Sequence, residues 1–171
     1  MSATNETLDR SLLHMAWANA DVFTRLAGLP DASLALTAPG SEWSVAAIAH
    51  HIVTAAENYA QRLHGEPRAA KREVPTTAKG IAELGTVLAE ADARLRHASS
   101  QPGEQVIEWI SFSGEPLAVP RWTLVNQAVH HATEHRAQIA GALAAHGINA
   151  IDLDAVDVWT YQENVREANG G

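Results

Sequence analysis

The stretch Val129-His130-His131-Ala132-Thr133-Glu134-His135-Arg136 lies in an apolar-periodic segment with neither Pro nor interior Gly from Arg121 to Ala140. Such a segment reads as a helix, and residues four apart on a helix sit one above the other. His131 and His135 are therefore imidazoles on neighbouring turns. At about 100° per residue, Leu124, Ala128, His131, Ala132, His135, Ile139 and Ala142 share one face. His130 points the other way, beside Gln127 and Glu134. Two imidazoles on an apolar face cost free energy unless something inside holds them. The pair reads as two ligands of a buried metal ion.

Working outward, this helix begins near Pro120 and Arg121, since Pro suits a first helical turn. It stops at His146-Gly147, where Gly is the usual terminator and His146 complements the helix dipole. Just before it, Val106, Ile107, Trp109, Ile110 and Phe112 lead into Ser113-Gly114-Glu115-Pro116, and Leu117 and Val119 follow. That texture predicts a short hairpin or extended excursion around a Gly turn. After it, Asp152, Asp154 and Asp157 resemble a helix N-terminal turn, predicting a short fifth helix that packs Trp159 over the rest. They resemble such a turn more than a calcium loop, because the Gly and closing Glu of an EF-hand are missing.

Further upstream, Ser44 reads as the N-cap of a helix running to about Leu63, with His64-Gly65 as its stop. Val45, Ile48, Ile52, Ala55 and Tyr59 define its apolar face. His51 falls on the edge of that face and His50 lies opposite, so both His-His doublets turn their second member inward. Asp31 to Glu42 and Glu66 to Thr77 read as surface connections. Between Thr7 and Leu29 a first helix places Leu8, Leu12, Met15, Ala16, Asn19, Phe23 and Leu26 on one stripe. Asn19 in that stripe must tie two helices or line a polar cavity. His14 falls off the stripe and is expected to face solvent. Ile81, Leu84, Leu88, Ala91 and Leu95 mark a third helix with no candidate ligand on its stripe, His97 lying off the face. Four amphipathic helices indicate an all-α fold, a four-helix bundle with metal-capable side chains facing inward.

The 171 residues, 46% of them hydrophobic, fit a single domain spanning 1–171 with one core. A formal charge of −8, from 12 basic and 20 acidic residues, argues against a nucleic-acid partner. No cysteine is present, which excludes disulfides, thiolate metal sites, Fe–S clusters and a cysteine nucleophile. The polar start, Met1 to Arg10, does not read as a signal peptide, and no apolar run approaches the ~20 residues of a membrane span. No membrane partner is expected, and the location is expected to be cytoplasmic.

Three imidazoles, His51, His131 and His135, suit Zn, Ni, Cu or Fe and leave a coordination position for water or substrate. A metzincin reading fails, since the sequence is HHATEH rather than HExxH and Glu134 points outward. From the residues alone, a metal site and a hydrogen-bonded His cluster both stay open. Arg136 sits at the side of the apolar face, where a salt bridge is favoured over an anion anchor. Asn19 and Gln138 are candidate donors to a histidine or to a metal-bound water.

The chain resembles the DinB/YfiT-like superfamily of damage-inducible four-helix metalloproteins. The matching pieces are Trp17-Ala18-Asn19, Trp43-Ser44-Val45 leading to His51, and His131-x-x-x-His135-Arg136-Ala137-Gln138 followed by Gly147. The similarity runs from about Leu8 to Tyr161. It implies an up-down-down-up bundle, often dimeric, with a divalent ion (zinc or nickel) on His51, His131 and His135. Two positions depart from the family's His-His-Arg-Gly-Gln: Glu134 precedes His135, and Ala137 replaces the Gly. Relatives include mycothiol-dependent maleylpyruvate isomerase and bacillithiol S-transferases. The implied activity is a metal-dependent transferase or isomerase acting on a small-molecule substrate with a low-molecular-weight thiol. The alternatives are a non-catalytic metal-binding or stress-response protein of this fold, and a metal-free bundle.

Overall fold

A computed structural model of the protein describes residues 3–111 and 113–168. Its elements are α1 (Ala3–Ala27), a 3-10 turn (Asp31–Ala35), α2 (Val45–His64), α3 (Ala78–Ser99), β1 (Val106–Ile110), β2 (Pro116–Pro120), α4 (Arg121–Ala144), a second 3-10 turn (Asp154–Val156) and α5 (Val158–Ala168). Both α1 and α2 pack on α3 and α4, so α1 and α2 occupy opposite corners of a four-helix bundle. The apolar stripes meet in the middle: Leu12, Met15, Leu26, Ile52, Ile81, Leu88, Leu95, Ile139 and Leu143 are all buried. No helix among the described residues is long and apolar enough to cross a membrane.

The ends of α2 follow its sequence signals. Ser44 Oγ accepts from the Ala47 amide at 3.1 Å, and Gly65 stops the helix with φ of 67°, where a side chain would be strained. Upstream, Thr37 bridges Ser44 and the Trp43 amide donates to Ser41 Oγ at 3.1 Å, which fixes the approach to the helix. The connection after α2 folds back over its outer side. There Arg72 pairs with Glu57, and His50 Nε2 meets the Arg72 carbonyl at 3.1 Å.

The expected hairpin is present. β1 and β2 are antiparallel with Ile107 opposite Val119 and Trp109 opposite Leu117, and Gly114 turns the chain at φ of 88°. Phe112 lies outside the described residues. Arg62 sits 4.8 Å above the Trp109 ring, and buried Arg121 reaches the Leu63 carbonyl and Gln105, which anchors the hairpin to α2.

Two expectations are corrected. His14 is half-buried rather than solvent-facing: its Nε2 lies 2.9 Å from the Val156 carbonyl and its ring touches Trp17 and Tyr161. The C-terminal segment returns over α1 and covers the side that the helix's own periodicity leaves open. Within that segment α5 does form, with Asp157 accepting from the Thr160 amide at 2.8 Å, but Trp159 is 80% exposed. Tyr161, two residues on and so roughly opposite on the helix, is the one that packs on Trp17.

Candidate metal centre

α2 and α4 pack directly, and their contact brings the two inward histidine sets together. His131 Nε2 lies 2.9 Å from His51 Nε2 and 3.1 Å from His135 Nε2, and the three candidate ligand atoms all lie within 4.8 Å of one another. Among the described residues this is the one group of three such side chains able to hold an ion. His135 is buried, and His51 and His131 are half-buried. His130 is exposed and outside the group, as its place on the helix predicts.

The hydrogen-bond chemistry of the three rings is compatible with a cation between them. Gln138 turns its amide nitrogen toward Glu134 at 3.5 Å and its Oε1 toward His135 Nδ1 at 2.7 Å. A carboxamide oxygen only accepts, so His135 carries its proton on Nδ1 and presents the Nε2 lone pair to the other two rings. If His131 Nε2 donates to His135, its in-plane site is used and it cannot also accept from His51. At most one of the two short N···N contacts is then a hydrogen bond. Three lone pairs turned to one ion would remove the conflict. Zinc with imidazole nitrogens at about 2.0–2.1 Å would set neighbouring nitrogens roughly 3.4 Å apart, a few tenths of an ångström wider than the two contacts that His131 makes.

The electrostatics agree. Burial, with the neighbouring imidazoles adding to it, pushes the His131 pKa down to about 4 and lowers that of His51. Both rings are neutral near pH 7, the form that binds a metal.

Aromatic rings frame the group. Trp43 meets His51 edge-on at 4.8 Å and stacks on His135 at 6.1 Å, while Tyr59 stands edge-on to His131 at 5.9 Å. A cleft of about 510 Å³ reaches His135 and Gln138 past Ala38, Ser41, Trp43, Ile48 and Gly141. A larger cleft of about 630 Å³ between α1 and α3 is lined by no titratable side chain and lies apart from the histidines.

Behind the histidines runs a buried polar chain. Arg136 Nη1 donates to Asn19 Oδ1 at 2.6 Å and Nη2 to Thr133 Oγ1 at 3.1 Å, while Asn19 Nδ2 donates to Asp92 Oδ2 at 2.9 Å. Asn19 thus ties α1 to α3 and α4 and, against expectation, its hydrogen bonds go to Asp92 and Arg136 rather than to a histidine, while Gln138 serves His135 as an acceptor rather than a donor. Arg136 is only 3% exposed, deeper than the side position its spacing gave it, and Asn19 stands between it and Asp92. Burial lowers the Arg136 pKa to about 10 and raises that of Asp92 to about 6. Asp92 Oδ1 has no hydrogen-bond partner among the described residues. Asp92 also lines a cavity of about 10 Å³ together with His131, Tyr59 and Asn19, the volume of about one water. The apolar stripe of α3 did not single out Asp92, although it falls four residues after Leu88 and three before Leu95, in phase with both.

A family model described as the DinB family matches residues 1–166. Among solved structures, a DinB-like protein from Bacillus cereus ATCC 10987, seen in a crystal structure, shares 22% sequence identity. It superposes with a TM-score of 0.57 over 83% of this chain and 94% of that one, a likeness of fold. No curated protein matches.

Proposed function

The chain belongs to the DinB family, and from that premise we propose that it is a metal-dependent enzyme with His51, His131 and His135 as ligands of one divalent ion. One observation carries this reading: three Nε2 atoms converge while Gln138 holds His135 in the ligating tautomer. The residues suit zinc or nickel, and a bound ion would supply Lewis acidity and stabilise a thiolate or an alkoxide. Three protein ligands leave a position for a small molecule, and the cleft at His135 gives access to it.

The chain's own residues do the positioning. Gln138 accepts from His135 Nδ1 and orients that ring. Trp43 and Tyr59 pack against the imidazoles. Asn19 acts one step further back, by fixing Arg136 on α4 one residue from His135. The reaction class on this reading is transfer of a low-molecular-weight thiol to an electrophile, or thiol-assisted isomerisation. That class, a small-molecule substrate and a homodimer rest on the family resemblance rather than on the geometry of the site.

The test is metal content and affinity in single variants. His51→Ala, His131→Ala and His135→Ala should each lose the ion, whereas His130→Ala should keep it. Equal metal retention in all four would overturn the assignment. Turnover assays pairing thiols with electrophiles then separate an enzyme from a metal-binding protein without activity.

A further inference from the structure

We propose that the cleft beside His135 is a binding site for an uncharged, flat, largely apolar small molecule, aromatic or conjugated, and that its protein lining, without the ion, disfavours carboxylates and other anions. This deepens the metal-enzyme reading and rests on it for what happens to the bound molecule; binding itself needs no metal. The volume of about 510 Å³ falls in the range of small-molecule sites. Ala38, Ile48 and the Trp43 indole form its apolar walls, and the polar groups reaching it belong to Ser41, Gln138 and His135. No Lys, Arg, Asp or Glu is among these lining residues. In the metal-free protein a carboxylate would find no countercharge among them, in a chain whose formal charge is −8.

Two features look built for a ligand rather than for packing. Trp43 is 45% exposed despite its size, yet it is held in place by the Ser41 contact and by stacking on His135. It offers a fixed aromatic face beside the imidazoles, and flat rings prefer such a face. Gly141 lies inside α4, where glycine is disfavoured by roughly 1 kcal/mol against Ala. A Cβ there would meet nothing within 4 Å, so packing does not require the glycine. What its missing side chain preserves is open space in the cleft wall.

The experiment uses the metal-free protein near neutral pH, titrated calorimetrically with naphthol and with naphthoate. Naphthol should bind, and naphthoate should bind at least tenfold more weakly. Gly141→Leu, a change that favours the helix, should weaken naphthol by about tenfold or more while circular dichroism and zinc affinity stay unchanged. Trp43→Ala should weaken naphthol as well. The proposal is overturned if naphthol fails to bind, if naphthoate binds equally well, or if Gly141→Leu leaves naphthol affinity unchanged. Zinc uptake is measured on the same preparations. Naphthol binding without zinc uptake defeats the metal reading alone, and zinc uptake without naphthol binding defeats the cleft alone.

Discussion

Gln138 is the side chain whose replacement most directly separates a metal centre from a cluster of neighbouring histidines. Its Oε1 is the acceptor that keeps the proton on His135 Nδ1. Gln138→Leu removes the acceptor but no ligand, and should weaken zinc binding by about 10- to 100-fold in a chelator competition. Asp92 gives a residue-level prediction of a different kind. Folded, its carboxyl keeps the proton to about pH 6; unfolded, it releases it near 3.8. Between those values the folded state binds more protons, so this group's contribution to stability falls as pH rises, then levels off above 6. The full change is of order 3 kcal/mol, since each pH unit separating the two values is worth about 1.4 kcal/mol. The difference in unfolding free energy between wild type and Asp92→Asn, followed from pH 4 to pH 6.5, should show that slope.

Among the elements, α2 carries His51 and depends on its start. Ser44→Ala leaves the Ala47 amide without its acceptor and should cost about 0.5–2 kcal/mol, read as a lower denaturation midpoint with an unchanged slope. α5 tests which aromatic holds the C-terminal segment. Tyr161 contacts Trp17 and His14, whereas Trp159 projects into solvent. Trp159→Ala should change stability by less than about 0.5 kcal/mol. Tyr161→Ala should instead release α5 and speed hydrogen exchange in residues 158–168.

For the whole molecule, proton and metal compete for the same rings. His51 and His131 take up protons less readily folded than unfolded, where the usual value is 6.5. Their contribution to the stability of the metal-free protein is complete above pH 6.5 and is lost as pH falls toward about 4. Metal-free protein should therefore lose stability across that window faster than His131→Ala does. Zinc at a hundredfold over its dissociation constant should add about 2.7 kcal/mol near neutral pH, a gain that disappears on acidification. Thermal unfolding with and without zinc at a series of pH values measures both.

Helical periodicity fixed four amphipathic segments, the ends of α2, and the inward turn of His51, His131 and His135, because these depend on neighbours within a few residues along the chain. The hairpin was legible for the same reason, in a Gly turn between apolar runs. What one helix's wheel cannot show is which other element comes to cover it. His14 was expected in solvent because α5 and its preceding turn lie more than a hundred residues away in sequence, and only folding sets them over α1. Asp92, though in phase with its stripe, gained meaning only when Asn19 of α1 and Arg136 of α4 met it in the core. The sequence alone thus chose which faces carry imidazoles, a local matter of spacing. The meeting of three nitrogens, the ring orientation set by Gln138 and the open cleft at Gly141 were decided by how α2 and α4 dock, since contact across a bundle is a property of packing.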